Sequence, residues 1–443
     1  MQAEIEYKYL KFTSLEKTVF WDFYTLFNKN AIDSVFPIVK LSEVIIQRKG
    51  FITIDDNEMY KRCRVQIQGK GVVLRDEVIG KEIKTKKQQL CKADDFLVAE
   101  IDAKVGGFGI VPQELENAIV SGHYFLFEIN KLKLLPEFLG LVVTQSEFLK
   151  QVKSTGSTNY SAIRPSHVLD YKIPLPKLEQ QQEIITNYYS KVKEAERLKN
   201  EAEDLEGKIE SYLYEKLGLK RKEKKIFSSK ILLVEYKDLD RWDGKNENIL
   251  TSKYEVERIG KYITNISTGT TPPTSRQEYF IGDVNFYTPS ELGSEMYLTK
   301  SERKLNEIAF RDKKARRFER GTILFVGIGS TVGKVGIVAN DFASSNQQIT
   351  GFNVNQNKLM NGYVYYYFKY FQEITVSEQT KATLPIVNQD KIMNIPIPIP
   401  PIPIQELIVS EIKKMISEID IINKQSINLK LLAVQNFEKS IFN

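Results

Sequence analysis

The sequence predicts an α+β protein: two largely β globular domains in tandem, each followed by a long helix. The two helices are expected to pair as an antiparallel coiled coil about a pseudo-two-fold axis. Three observations predict this. Four segments recur in the same order at offsets of 221 to 227 residues, about half of the 443-residue chain. Each copy closes on a proline-rich exit. Each exit runs into a stretch with apolar residues every three or four positions, the spacing of a helix seam.

The repeat is read from four matches. Asp95–Val111 (DFLVAEIDAKVGGFGIV) aligns with Thr322–Val338 (TILFVGIGSTVGKVGIV) at an offset of 227, and Tyr171–Ile185 aligns with Asn394–Val409 at 224. Upstream of the second match, STNYSAIRPSHVLDYKIPLP aligns with KATLPIVNQDKIMNIPIPIP. The two tryptophans, Trp21 and Trp242, are each followed by Asp and lie 221 residues apart. The expected boundaries are a first globular domain over 1–176, a central helix over 177–220, a second globular domain over 221–403 and a closing helix over 404–443.

Within each globular domain short strand-like runs alternate with polar loops. They are Val44–Gln47, Arg64–Gln68, Phe96–Ile101 and Tyr124–Ile129, then Ile323–Gly327, Val335–Val338 and Ile349–Val354. The exits from Ile173 and from Ile395 are rich in proline, which lacks an N–H donor and favours extended backbone. From Leu178 to Leu217 no proline occurs, and Ile185, Tyr188, Val192, Ala195, Leu198, Ala202, Leu205, Ile209 and Tyr212 form a stripe. Ile408, Ile412, Met415, Ile419, Ile422, Leu429 and Ala433 form the second, with Ser426 interrupting it. Each stripe is marginal alone, so the helices are expected to bury each other.

Composition excludes several classes. The chain carries two cysteines (Cys63, Cys91) and two histidines (His123, His167), too few for a Cys/His zinc module or a disulfide framework. His123, beside an aromatic strand, reads as a core or loop histidine. No apolar run reaches membrane-spanning length and the N-terminus lacks a signal-peptide core, so a cytoplasmic location is expected. The net charge of +6 is unevenly spread. Residues 60–92 hold ten Lys/Arg against three acids, and residues 301–320 hold eight against four. Paired basic runs suit a polyanion partner, because each neutralised phosphate releases counterions.

The loop LFVGIGSTVGKVGIV (Leu324–Val338) invites a nucleotide-binding reading, and its spacing argues against one. Five residues separate Gly327 from Gly333, and Val335 stands where a P-loop needs Ser or Thr. The run after it reads as a strand, whereas a P-loop presents a helix N-terminus. In the first copy Ala103–Phe108 replaces Ser330–Val335: glycine persists and the side chains change. That is the behaviour expected of a glycine-rich recognition hairpin. An ATP-dependent enzyme built on Gly327–Lys334 is the competing reading.

Taken together these residues resemble the DNA specificity (S) subunits of type I restriction-modification systems. The resemblance rests on Trp242-Asp243, Val256-Glu-Arg-Ile-Gly, Thr268-Gly-Thr-Thr-Pro, the Gly329-Ser-Thr-Val-Gly loop, Ser345-Asn-Gln-Gln and the Ile-Pro-Ile-Pro exit leading to a glutamine. The first copy departs from it, with Ser121-Gly-His-Tyr in place of Ser345-Asn-Gln-Gln and no Gly-Thr-x-Pro loop. The resemblance implies a non-catalytic subunit. Each globular target-recognition domain would read half of a bipartite site on double-stranded DNA. The helices would set the spacing and dock two methyltransferase subunits, which restriction/motor subunits join. S-adenosylmethionine, ATP and Mg belong to those partners, and no cofactor or metal to this chain. Consistent with that division, no Asn-Pro-Pro-Tyr/Phe quartet, strand–GxGxxG opening or helicase pair is present. A recognition subunit of a system with cleavage and methylation fused in one partner, or an inert coiled-coil tether, remain alternatives.

Charge and loop position select the candidate DNA contacts. In the first domain they are Arg62, Arg64, Gln66, Gln68 and Lys70, alternating along one strand face, with Lys104 and the polar loop residues Lys153, Thr155, Ser157 and Asn159. In the second they are Thr270, Thr271, Thr274, Arg276, Thr331, Lys334, Lys381 and Thr383.

Overall fold

The computed structural model describes residues 32–67, 69–152, 162–220, 250–376 and 385–442. The Trp-Asp pairs at Trp21 and Trp242 lie outside them, as do Gln68, Lys153, Thr155, Ser157, Asn159, Lys381 and Thr383. The chain divides into two compact units. One holds the residues up to Leu198 with those from Lys424 onward, and the other runs from Lys199 to Asn423. Each unit therefore owns one globular domain and a stretch of both long helices.

In the first unit, one sheet runs in the order Ile45–Arg48, Tyr124–Ile129, Phe96–Ala99, Phe108–Ile110, with every neighbouring pair antiparallel. A second sheet runs Phe51–Thr53, Lys87–Leu90, Ile119–Val120, Met59–Gln66, Gly71–Ile79. Its last two strands are a long hairpin with a bulge between Arg62 and Cys63, where the register skips Arg75. The sequence placed a strand over Arg64–Gln68. The structure starts it at Met59 and ends it at Gln66, and a turn with Gly69 and Gly71 at φ +70° and +80° follows. Only glycine adopts that backbone readily.

The second unit repeats the first sheet: Ile263–Thr268, Ile349–Val354, Ile323–Val326, Val335–Val338, extended by Tyr297–Leu298. Its companion sheet runs Arg303–Leu305, Val284–Tyr287, Phe342–Ser345, Phe318–Glu319 and lacks a long hairpin. The glycine-rich loop is a hairpin turn in both copies, since Phe96–Ala99 pairs with Phe108–Ile110 and Ile323–Val326 with Val335–Val338. Gly106 (φ +84°) and Gly333 (φ +96°), which are 227 residues apart, hold the same left-handed position. A strand follows each turn, and that rules out the phosphate-cradling geometry of a P-loop.

The proline-rich exits close each globular domain as short strands. Lys172–Pro174 pairs antiparallel with Ile38–Lys40, and Pro396–Pro398 with Val256–Arg258. Each exit then delivers a buried glutamine. Gln181 accepts from the Leu135 N–H (2.8 Å) and donates to the Lys133 and Pro176 carbonyls (2.9 and 2.8 Å). Gln405 accepts from the Met360 N–H and donates to the Lys358 and Pro400 carbonyls, each at 2.8 Å. Both side chains are fully buried. A buried amide with all three bonds made is inexpensive, whereas its loss strands three backbone groups. This explains why the exit motif ends in glutamine.

The central helix spans Leu178–Leu217 and the closing helix Ile402–Ile441. Pro403 sits in the first turn of the closing helix, where no N–H partner is required. In the first unit the start of the central helix lies against the end of the closing one. Phe437 packs on Tyr188 and Phe138, and Ile185, Phe437 and Ile441 share one core. In the second unit the end of the central helix (Ile209, Leu213, Leu217) shares a core with the start of the closing one (Ile408, Ile412). The pairing is antiparallel in both. Ser426 proves to be part of the seam: it is buried and donates to the Ala195 carbonyl at 2.7 Å.

Candidate nucleic-acid interface

In the first domain the long hairpin turns its two faces to different tasks. Cys63 and Val65 are buried, while Arg62, Arg64 and Gln66 alternate onto the outer face. Arg62 is not free for a phosphate. Its guanidinium makes a two-pronged pair with Asp76, Nε to Oδ1 at 2.6 Å and a terminal nitrogen to Oδ2 at 2.7 Å. That hydrogen bond holds the Asp76 carboxyl below its usual range. Arg64 is exposed, with no side-chain partner among the described residues. Lys70 is exposed in the turn after the strand, so it leaves the strand face on which the sequence put it. Lys104 is exposed on the 3-10 turn Asp102–Val105 of the glycine hairpin.

Elsewhere in this domain, Arg48 is spent on Asp95 and the Leu90 carbonyl. His123 is an exposed loop residue with Nδ1 2.8 Å from Glu100. The Cys63 and Cys91 thiols are buried, 3.6 Å apart and free.

In the second domain the three motifs quoted from the sequence come together. The turn Thr268–Thr271 packs on Ser345–Gln348: Gly269 donates to the Ile349 carbonyl, and Thr271 donates to Gln347 Oε1. The loop from Gly327 is held from beneath, with Gly327 and Gly329 bonded to the backbone at Val387 and Pro385. Where the Ser345–Gln348 run and the loop from Gly327 meet the segments 288–291 and 302–303 opens a polar cleft of about 470 Å³, lined among others by Ser290, Glu291, Arg303, Ser330, Thr331 and Asn346. Its floor is rigid. The Asn346 N–H donates to the Tyr287 carbonyl, and burial pushes the Tyr287 phenol up to about 12.

The chosen residues divide here too. Thr331 lines the cleft. Thr270 and Thr271 do not line it: they lie on the adjoining turn, bonded to the Lys314 carbonyl and to Gln347. Lys334 is half-buried, its stem lying along Gly293. Thr274 lines a neighbouring hollow of about 610 Å³ that shares Arg303 with the cleft. Arg276 is not an available cation: it pairs with Glu278 at 2.6 Å, donates to the Tyr279 hydroxyl and stacks 4.5 Å over that ring.

Further cations of the second domain lie in the basic run 301–320. Within 301–320, Arg317 lies 3.9 Å over the Phe342 ring and pairs with Glu307, and Arg320 pairs with Asp341. Arg303, Lys313, Lys314 and Arg316 are exposed, with no side-chain partner among the described residues. The signal was present in the sequence as a run. What it lacked was which members face an acid. Among the described residues no cluster of His, Cys, Asp and Glu could hold a metal ion, and no helix is long and apolar enough to cross a membrane.

Comparison with known proteins bears on this arrangement. The model of the type I restriction modification DNA specificity domain matches twice, over residues 30–204 and 252–431. The type I restriction enzyme MjaIX specificity subunit of Methanocaldococcus jannaschii is 28% identical over 192 residues, 42% of this chain. The match spans 43% of that relative's length. A chain from a structural study of complex assembly and conformational transition of the type I R-M system superposes with a TM-score of 0.61 at 18% identity. That superposition covers 91% of this chain and 97% of the other, and it shows a common fold. The HsdS subunit of Thermoanaerobacter tengcongensis is also similar, at 18% identity and a TM-score of 0.48 over 91% and 96% of the two chains. With both halves matched by the family model, the chain belongs to the type I restriction-modification DNA specificity family.

Proposed function

We propose that the chain is the sequence-reading, non-catalytic subunit of a type I restriction-modification complex, each globular domain recognising one half of a bipartite DNA target. The observation that carries this is the duplication of one frame with two different polar and basic surfaces: the Arg64 hairpin face in one unit, and the Thr331 cleft bordered by Arg303 in the other. Exposed Lys and Arg would hold phosphates, and loop amides and hydroxyls would read base edges.

The helices act as spacer and as docking surface for two methyltransferase subunits. In support, Ile427, Leu431 and Val434 stay exposed on the closing helix while Ile408, Ile412, Ile422 and Ala433 of its seam are buried. Restriction/motor subunits join that core. S-adenosylmethionine, ATP and Mg serve the partners' chemistry, and the complex works on DNA in the cytoplasm.

The test is a genome-wide map of methylated adenines in cells that express the chain with its methyltransferase partner, against cells lacking the chain. Two short specified blocks separated by a fixed unspecified gap are expected. Methylation unaffected by deletion, with the partner active, would leave a coiled-coil tether in place of a reader. Lengthening both helices by one heptad, about 10 Å of rise, should lengthen the gap by roughly three base pairs.

A further inference from the structure

Two loops of the second unit, Thr268–Thr271 and Ser345–Gln348, meet at one exposed amide, Gln347. Thr268–Thr271 runs so close beneath it that a Cβ at Gly269 would lie 2.3 Å from the Ser345 hydroxyl oxygen and 2.4 Å from the Asn346 carbonyl oxygen. Thr271 donates its hydroxyl to Gln347 Oε1. The flanking amides are internally committed. Asn346 Oδ1 accepts from the Gln348 N–H at 3.1 Å, and Asn346 Nδ2 donates to Gln348 Oε1 at 3.0 Å. Gln348 Nε2 in turn donates to the Ile328 carbonyl at 3.4 Å. Gln347 is the exposed member of the three. Its Nε2 has no partner among the described residues, and Oε1 keeps a second lone pair.

Gln347 is thus an amide fixed at one point that presents a donor and an acceptor side by side. In the major groove, adenine offers the complementary pair, the N7 acceptor beside the N6 amino donor. Guanine offers two acceptors, cytosine a donor alone, and thymine an acceptor beside a methyl group. The phosphate-holding groups are at hand. Thr270 bonds the Lys314 carbonyl at 3.2 Å, which ties this turn to the segment carrying Lys313, Lys314 and Arg316, exposed and without a side-chain partner among the described residues.

We propose that Gln347 is a specificity-determining residue that reads adenine in one half of the DNA target, and that Thr271 is its positioning residue. The inference rests on the DNA-reading function proposed above.

The experiment uses the purified complex of the full chain with its methyltransferase partner, bound to duplexes in which each target position is varied through all four base pairs. The unmodified complex should prefer adenine at one position by roughly 5- to 100-fold. Gln347→Ala should erase that single preference and keep the others. Gln347→Glu, which only accepts, should turn it towards cytosine. Thr271→Val should weaken the same preference and Thr271→Ser should retain it.

An unmodified complex with a split target whose preferences survive Gln347→Ala overturns the inference and leaves the reading function standing. An unmodified complex with no sequence preference sinks both. If Gln347→Ala loses binding to every duplex, the Thr271 pair decides. Loss of the single preference in Thr271→Val alone upholds the assignment, and no change in either variant defeats it.

Discussion

The sheet bearing the glycine hairpin has the same strand order in both units, yet the companion sheets do not correspond. The first unit devotes its companion sheet to the long basic hairpin Met59–Ile79. The second unit has short strands there and gathers its polar groups around a cleft instead. The parts in common are those whose failure would strand buried groups: the exit strand, the buried glutamine and the left-handed glycine at Gly106 and Gly333. The parts that differ are exposed, where a substitution costs little stability. A duplicated frame can therefore keep its fold while its two surfaces diverge to read different sequences.

The core shared by helix and domain is the most sensitive part of each unit. Phe437→Ala removes a ring packed on Phe138 and Tyr188 and should cost the first unit about 3–5 kcal/mol, leaving the second unit's amide-exchange protection unchanged. Next come the paired glutamines. Gln181→Ala and Gln405→Ala each orphan three backbone groups, so each should cost about 3 kcal/mol in urea unfolding of its own unit. Unequal losses would show that the two frames are not equivalent.

At the seam, Ser426→Ala removes one buried hydrogen bond and should cost about 1 kcal/mol. Overpacking by Ser426→Leu should cost about 1–3 kcal/mol, since the hydroxyl sits directly against the Ala195 backbone.

Smaller effects sharpen the contrast between spent and available cations. Arg64→Ala should weaken binding about equally on all DNA sequences and lower the salt slope by about 1. Arg62→Ala should do less to the slope, because Asp76 already neutralises that guanidinium. Its signature lies in titration. The folded Asp76 carboxyl is depressed below its unfolded value. The pair's stabilisation is therefore present above about pH 4 and is lost as pH falls through the lower folded value. An NMR titration should find Asp76 moving back up in Arg62→Ala.

Much of this was legible in the sequence for identifiable reasons. Long-range self-similarity and seam spacing are global signals, and they located the hairpin strands, the exits and the helices. Ser426 was read as an interruption because polarity alone does not reveal a nearby carbonyl, here that of Ala195. Arg62 and Arg276 were chosen for charge, and only three dimensions show the acids that occupy them. Lys70 was placed on a strand because alternation persists to the glycines, but the turn at Gly69–Gly71 ends it first. Nothing local marks Gln347 within the Ser345-Asn-Gln-Gln run, since its contact with Thr271 joins residues 76 apart in the chain.

In the proposed function, two domains built on one frame read separate halves of one target. The most direct measurement is a methylated-adenine map for three chains: unmodified, Arg64→Ala with Gln66→Ala in the first domain, and Thr331→Ala with Gln347→Ala in the second. Each pair of changes should degrade one block of the split motif, a different block for each pair, with the gap unchanged. Both pairs altering the same block, or neither altering any block, would contradict it.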